Sequence, residues 1–225
     1  MEIHKGYVKM VVPHEGGKIT LQYPSFKGYY GNVADSIDKE GLKRLTSPKT
    51  ASLVYDAFKN PKGEYESQII KILNDAWLWE YTGNLYLPKS DEEINDGVII
   101  ENNPKITNGK LDMNKNDLIK RLKENDADVK FVPFGFKIGE QNLIEFQNNP
   151  YIKARYGKEG AEKIAEVASK YKKNPYIYSF NSVDGEKVRM SALYRNWGLG
   201  NRLDVAGDSW DDSGNGHAFG ECVAD

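Results

Sequence analysis

Residues 189–220 read "RMSALYRNWGLGNRLDVAGDSWDDSGNGHAFG". In "KVRMSALYR", Val188, Met190, Ala192 and Tyr194 alternate, and in "RLDVA", Leu203 and Val205 alternate, before a third run, "HAFGECV". Period-2 alternation predicts half-buried strands with Leu203 and Val205 inward and Asp204 outward. Two glycine-rich segments, "NWGLGN" (196–201) and "GDSWDDSGNG" (207–216), separate the runs. Such short intervals predict an antiparallel meander with both connections close together on the sheet's rim or face. Of the 22 residues from Asn196 to His217, 14 are Gly, Asn, Asp or Ser. Short polar side chains, glycine and occasional aromatics combine adaptable hydrogen bonding with rigid anchors, a chemistry of recognition rather than reaction.

Catalytic and metal chemistry fit this stretch less well. An EF-hand loop needs oxygen donors at positions 1, 3 and 5 and glutamate at 12. From Asp208 the third position is Trp210, and from Asp211 the twelfth is Cys222, so both frames fail. A looser calcium site shared by Asp208, Asp211 and Asp212 stands against the plainer reading of a solvated acidic loop. The histidines, His4, His14 and His217, lie in two remote places, and no zincin, nucleophile-elbow or phosphate-loop motif is present. His217 opens a strand and reads as a packed or hydrogen-bonded residue. Cys222, at an alternating strand position, reads as a small core hydrophobe. Trp77 and Trp79 read as core at a helix end, whereas Trp197 and Trp210 read equally as buried anchors or exposed contacts.

The 225-residue chain is long enough to bury roughly 70% of its unfolded surface. Hydrophobic residues make up 39%, with 14 Tyr and 4 Trp, which favours a globular protein. Lys and Arg number 31 against 33 Asp and Glu, leaving no field to steer toward nucleic acid or anionic lipid. The single cysteine excludes an intrachain disulfide and a multi-cysteine zinc site. The start carries no signal-type apolar run, and no segment approaches the roughly 18 apolar residues of a membrane span, so a soluble protein is expected.

Upstream, "GYVKMVV" and "KITLQY" flank "PHEGG" and predict a hairpin, within a strand-and-turn region over residues 1–35. Ser47-Pro48 reads as an N-cap with proline at the first helical position, opening a helix that carries Leu53, Ala57 and Phe58. A second helix, about Glu64 to Trp77, aligns Ile69, Ile70, Leu73 and Trp77. "TGNLYLPKSDEEINDGVIIENN" holds two β-rich runs. Asn114 caps a further helix with Asp117 at its third position. "DVKFVPFGF" reads as a strand, and "KEGAEKIAEVASKYK" as the clearest helix, striped by Ala161, Ile164, Ala165 and Ala168. No repeat or linker divides the chain, so residues 1–225 are expected to form one domain.

The quoted run resembles the C-terminal variable region of proteins diversified by diversity-generating retroelements, in particular the variable proteins of archaea and their viruses. The resemblance is best over residues 187–220, less specific over about 83–180, and absent from the first 80. It implies an α+β C-type-lectin-like fold related to formylglycine-generating enzymes, with twisted antiparallel sheets and flanking helices. It also implies a variable region at about 190–217, where adenine-directed mutagenesis changes codons such as those for Asn. The implied variable, ligand-binding positions are Asn196, Gly198, Gly200, Asn201, Asp204, Ser209, Asp211, Asp212, Ser213 and Asn215. The implied supports are Trp197, Leu203, Val205, Gly207, Trp210, Gly216, Ala218, Phe219 and Gly220.

Three departures bear on this. Relatives commonly end the motif with an arginine-containing "GVR" or "GFRV" strand, whereas this chain has Gly220-Glu221-Cys222-Val223. Formylglycine chemistry needs a cysteine pair and only Cys222 exists. The Glu-Pro-Asn and Gln-Pro-Asp sugar motifs of animal lectins are absent, so a lectin fold implies no sugar preference. The expected protein is a non-enzymatic binder of a macromolecule, a cell-surface protein or glycan, with no cofactor, no metal, no nucleic acid and no membrane insertion. The rival expectations are a metal-dependent hydrolase using the Asp cluster with His217, and a structural virion or surface protein.

Overall fold

The computed structural model describes residues 6–196, 201–209 and 214–223. The predicted hairpin forms from β1 (Val8–His14) and β2 (Gly17–Gly28). Its two-residue turn, Glu15 and Gly16, has φ of 46° and 75°, the left-handed pair whose twist matches the flanking strands. Then α1 (Tyr30–Lys39) occupies a region whose first residues were expected to be strand and turn. Tyr30, Val33, Ala34 and Ile37 recur there at helical spacing and are buried. After β3 (Lys43–Arg44), α2 (Ser47–Lys59) has Thr46 as its N-cap, one residue before the expected Ser47. The Ser47 hydroxyl is committed elsewhere, accepting from Arg155 Nε at 3.1 Å.

Helix α3 (Glu64–Asp75) stops short of Trp77, which instead opens β4 (Trp77–Leu87). Next come β5 (Gly97–Asn102), the hairpin β6 (Lys105–Thr107) and β7 (Lys110–Asp112), and α4 (Lys115–Lys123). Asn114 caps α4 as expected, accepting from the Asp117 N–H at 3.0 Å. Strands β8 (Val129–Pro133) and β9 (Gly139–Glu140) precede α5 (Leu143–Asn148) and α6 (Pro150–Ala168). Gly157, at φ 72°, breaks α6, and its second half carries the predicted stripe of Ala161, Ile164, Ala165 and Ala168, all buried. The chain closes with β10 (Tyr176–Tyr178), β11 (Lys187–Asn196), β12 (Arg202–Ser209) and β13 (Gly216–Glu221).

Among the described residues, eleven strands form one sheet along the path β1-β2-β13-β4-β11-β12-β10-β9, with β3, β5 and β8 attached. Strands β11 and β12 pair antiparallel as expected, but the meander stops there. Instead of joining β12, β13 lies between β2 and β4, antiparallel to the first and parallel to the second. With β10 also parallel to β12, the sheet is mixed rather than purely antiparallel. Alternation tells which residues share a face; it does not tell which strands are neighbours. Strand β4 takes a central place because ten of its eleven residues are buried, the mark of a strand covered on both sides.

Helices α2, α3, α5 and α6 pack on one face, against Leu78, Leu193, Leu203, Val205 and Phe219. On the other face α1 and the β6–β7 hairpin cover Trp79, Tyr81, Ala192, Ala206 and Ala218. Among the described residues, no helix is long and apolar enough to cross a membrane.

Candidate ligand-binding face

The residues that matter lie on the α1 side of the sheet, where Tyr30 of that helix packs edge-on against Trp79 with ring centroids 5.9 Å apart. Register sets them there two by two. Trp79 pairs with Ala192, Ala192 with Ala206, Tyr194 with Asp204, and Asp204 with Tyr176. Every second residue of β4, β10, β11 and β12 therefore presents one surface: Trp77 and Trp79, Tyr176 and Tyr178, Tyr194 and Asn196, Arg202, Asp204 and Ala206. The Trp77 and Tyr194 ring centroids are 4.1 Å apart, and the Trp77 and Trp79 rings lie near parallel at 5.9 Å. Trp79 itself is buried, its indole N–H donating to the Gly28 carbonyl at 3.1 Å.

On this surface Asp204 departs from expectation. Alternation turns it away from Leu203 and Val205, both buried, yet Asp204 is itself fully buried rather than exposed. Arg202 Nε donates to Oδ1 at 2.8 Å and Asn196 Nδ2 to Oδ2 at 2.8 Å. The Arg202 guanidinium in turn stacks 4.0 Å above the Tyr176 ring and donates to the Tyr178 hydroxyl at 3.1 Å. Burial raises the Asp204 carboxyl above its ordinary range, opposed by the Asn196 hydrogen bond and Arg202. The expectation that Asp204 is exposed is corrected: its carboxylate is enclosed by Arg202 and Asn196.

A second departure concerns the strand end. Between Met190 and Ala192 the β11–β12 register shifts, giving β12 one extra residue there. Such a bulge turns two consecutive side chains to one side, and Asp208 and Ser209 both line the same pocket. The carbonyls freed by the irregularity are met from the core. Arg155 donates to Ala206 O at 2.8 Å and Ala192 O at 3.2 Å, and Tyr86 donates to Gly207 O at 2.8 Å. Arg155 and Glu80 form an ion pair in which both side chains are fully buried, with the Tyr156 hydroxyl donating to the same carboxylate at 3.1 Å. A Cβ at Gly207 would collide with the Tyr151 hydroxyl, and one at Gly216 with the Trp79 indole, so both positions have room for glycine alone.

Above this floor, Trp77, Trp79, Tyr178, Tyr194, Ala206, Asp208 and Ser209 line a cavity of about 250 Å³. The sequence signal for it is an aromatic, an aliphatic, then an aromatic: Trp77-Leu78-Trp79 and Tyr176-Ile177-Tyr178. On a strand that pattern puts both rings on one face; reading Trp77 as a helix end concealed it.

The remaining assignments distribute as follows. Asn196 and Asn201 are half-buried at one end of the β11–β12 pair, with Asn201 at φ 62°. Ser209 lies at the opposite end of β12, and Asn215 is exposed just before β13. Asn201, from the first glycine-rich segment, and Ser209, from the second, thus lie at opposite ends of β12, whereas the expected meander placed the two connections close together. The supports Leu203, Val205, Ala218 and Phe219 are buried, as are Gly207, Gly216 and Gly220. Trp197, Gly198, Gly200, Trp210, Asp211, Asp212 and Ser213 lie outside the described residues, as does His4. Asp208 is half-buried in a strand rather than part of a solvated loop. His217 Nδ1 is hydrogen-bonded to Ser25 Oγ at 2.9 Å, and burial lowers its pKa, assisted by Lys27. Cys222 falls just past β13 and is half-exposed, so it is not a core residue; its N–H donates to Thr20 O at 2.8 Å. Among the described residues, no three His, Cys, Asp or Glu side chains gather as a metal site.

The chain superposes on a solved structure reported as "Accommodation of massive sequence variation in Nanoarchaeota by the C-type lectin fold". The TM-score is 0.53 over 88% of this chain and 94% of that one, at 14% identity. This chain has the C-type lectin fold. The mixed sheet, the helices on one face and α1 on the other are this chain's version of that lectin fold. No family model matches the chain, and no curated protein matches it in sequence.

Proposed function

We propose that this lectin-fold chain is a non-catalytic ligand-recognition protein whose C-terminal region, about residues 190–217, is diversified by a retroelement while its scaffold is retained. One observation carries the reading. Leu203, Val205 and Phe219 are buried, whereas Asn196, Asn201, Ser209 and Asn215 stand half-buried or exposed at the strand ends, Ser209 on the rim of an aromatic cavity. Residues of the first kind hold the backbone; of the second, Ser209 and Asn215 are the ones that change without unfolding it, whereas Asn196 also supports Asp204 and Asn201 holds a left-handed turn. By the resemblance, Gly198, Gly200, Asp211, Asp212 and Ser213 belong with the second group; Asp204, assigned there with them, is buried. The similar lectin-fold protein is reported to accommodate massive sequence variation, which supports the same division here.

Physically, recognition concentrated in short polar side chains on a rigid sheet keeps the ordering cost of binding low. The ligand is a macromolecule on a cell surface, and residues 1–225 act as one domain in presenting the site. The test is the DNA beside the gene. The reading expects a near-identical repeat of the 3′ coding region next to a reverse transcriptase, differing from the gene at adenines. A locus without such a repeat overturns diversification.

A further inference from the structure

The cavity on the proposed recognition face is lined by aromatic rings on β4, β10 and β11 and by the Asp208 side chain. Trp77, Tyr178 and Tyr194 are half-buried, leaving part of each ring open to solvent. Aromatic faces carry negative electrostatic potential and attract a cation placed over them, most strongly when water is excluded. Among the described lining residues Asp208 carries the one formal charge. Asp208 is half-buried and lies in no ion pair among the described residues, although its own backbone N–H and the nearby charges of Arg189 and Arg155 favour its ionised form. Burial nevertheless raises its carboxyl above the ordinary range. The neighbouring Asp204, by contrast, already has its guanidinium in Arg202. The protein therefore builds a cation-over-tyrosine contact with its own Arg202 and Tyr176, and beside it leaves an aromatic wall and a carboxylate with no such partner.

We propose that the Trp77–Tyr178–Tyr194–Asp208 cavity takes the cationic head of a lysine or arginine side chain from a protein ligand. At about 250 Å³ the cavity admits one such head group and a short length of its aliphatic stem. The inference rests on the recognition reading and narrows it: the ligand is a protein presenting a basic side chain, in preference to a glycan. Alternation from Ala206 puts Asp208 on the face that the rings occupy, and the bulge at β12 adds Ser209 beside it.

Titration of the purified chain with small probes tests this, followed by nuclear magnetic resonance of the tryptophan indoles. N-acetyl-arginine amide and N-acetyl-lysine amide supply the cation. N-acetyl-citrulline amide supplies the same shape as arginine without charge, and a methyl glycoside represents a glycan. The arginine probe should bind about tenfold or more tighter than the citrulline probe, in line with a cation–aromatic contact reinforced by a carboxylate. Asp208→Asn should reduce that preference to near unity while leaving the melting temperature close to that of the parent. Tyr178→Leu should weaken the cationic probes most. Equal binding of arginine and citrulline, preference for the glycoside, or no arginine binding at tens of millimolar overturns the proposal. The probes report on the cavity alone, so glycoside preference would still leave a recognition face. Conversely, a locus without the repeat would leave cation binding unaffected.

Discussion

Asp204 shows how a correct period can lead to a wrong environment. Alternation across Leu203, Asp204 and Val205 was legible in the sequence, and the two aliphatic residues are buried as expected. Asp204 points the other way, but Arg202, Asn196 and the paired Tyr194 and Tyr176 close that side as well. An Arg two residues away on the same strand face was the available signal, since Arg202 and Asp204 necessarily lie side by side. Truncating the carboxylate leaves the Arg202 guanidinium buried without its counter-charge. Asp204→Ala should therefore lower unfolding free energy by about 3–5 kcal/mol, read by urea denaturation at neutral pH. Asp204→Asn, which keeps hydrogen-bonding atoms, should cost less, and an unchanged midpoint for Asp204→Ala would contradict the assignment. His217 gives a prediction about acid. Burial lowers its folded pKa below the ordinary value of 6.5, so the unfolded chain takes up a proton first as pH falls. Its contribution to stability is full above 6.5 and is lost as pH descends through the lowered folded pKa. Melting curves between pH 7 and 5 should show a shallower decline for His217→Gln than for the parent chain; parallel declines would rule out His217 as a source.

At the scale of elements, strong local signals survived and long-range order did not. The β1–β2 hairpin, the Asn114 cap and the Ala161–Ala168 stripe were legible because each is decided within a few residues. The place of β13 between β2 and β4 was not, since the ladder joins residues far apart in the chain, such as Ala218 and Phe26. Strand β4 was misread at its start because "AWLWEY" follows α3 without a glycine or proline to mark the boundary. The bulge in β12 is likewise invisible locally: Gly207 looks like any loop glycine, whereas it lies against Tyr151 and Tyr86. Gly207→Ala should destabilise by about 1–3 kcal/mol through overpacking. The same change made together with Tyr151→Phe should cost less, because the colliding hydroxyl is gone. A double-mutant cycle from chemical denaturation reads this coupling. Additive effects would mean that Tyr151 does not set the space at Gly207.

For the whole molecule, the lectin fold separates two jobs by position. Helices on one side of the sheet and α1 on the other bury nearly all of β4 and the inward residues of β11–β13. The Glu80–Arg155 pair, with Ser47 and Tyr156, ties helix to sheet directly beneath the recognition face. On the proposed reading, polar residues at the strand ends are left to meet a ligand. The fold class and the polar stretch were legible from the quoted sequence. The aromatic cavity was not, because it is assembled from β4, β10, β11 and β12, which are distant in the chain. The central claim is that the face changes while the scaffold stays. Two displayed libraries test it most directly, one randomised at Ser209 and Asn215, the other at Leu203, Val205 and Phe219. Protease resistance across each pool is the measurement. Exposed substitutions usually stay within about 0.5 kcal/mol and core truncations cost about 2–5 kcal/mol, so most members of the first pool should resist and few of the second. Equal loss of resistance in both pools would contradict the account.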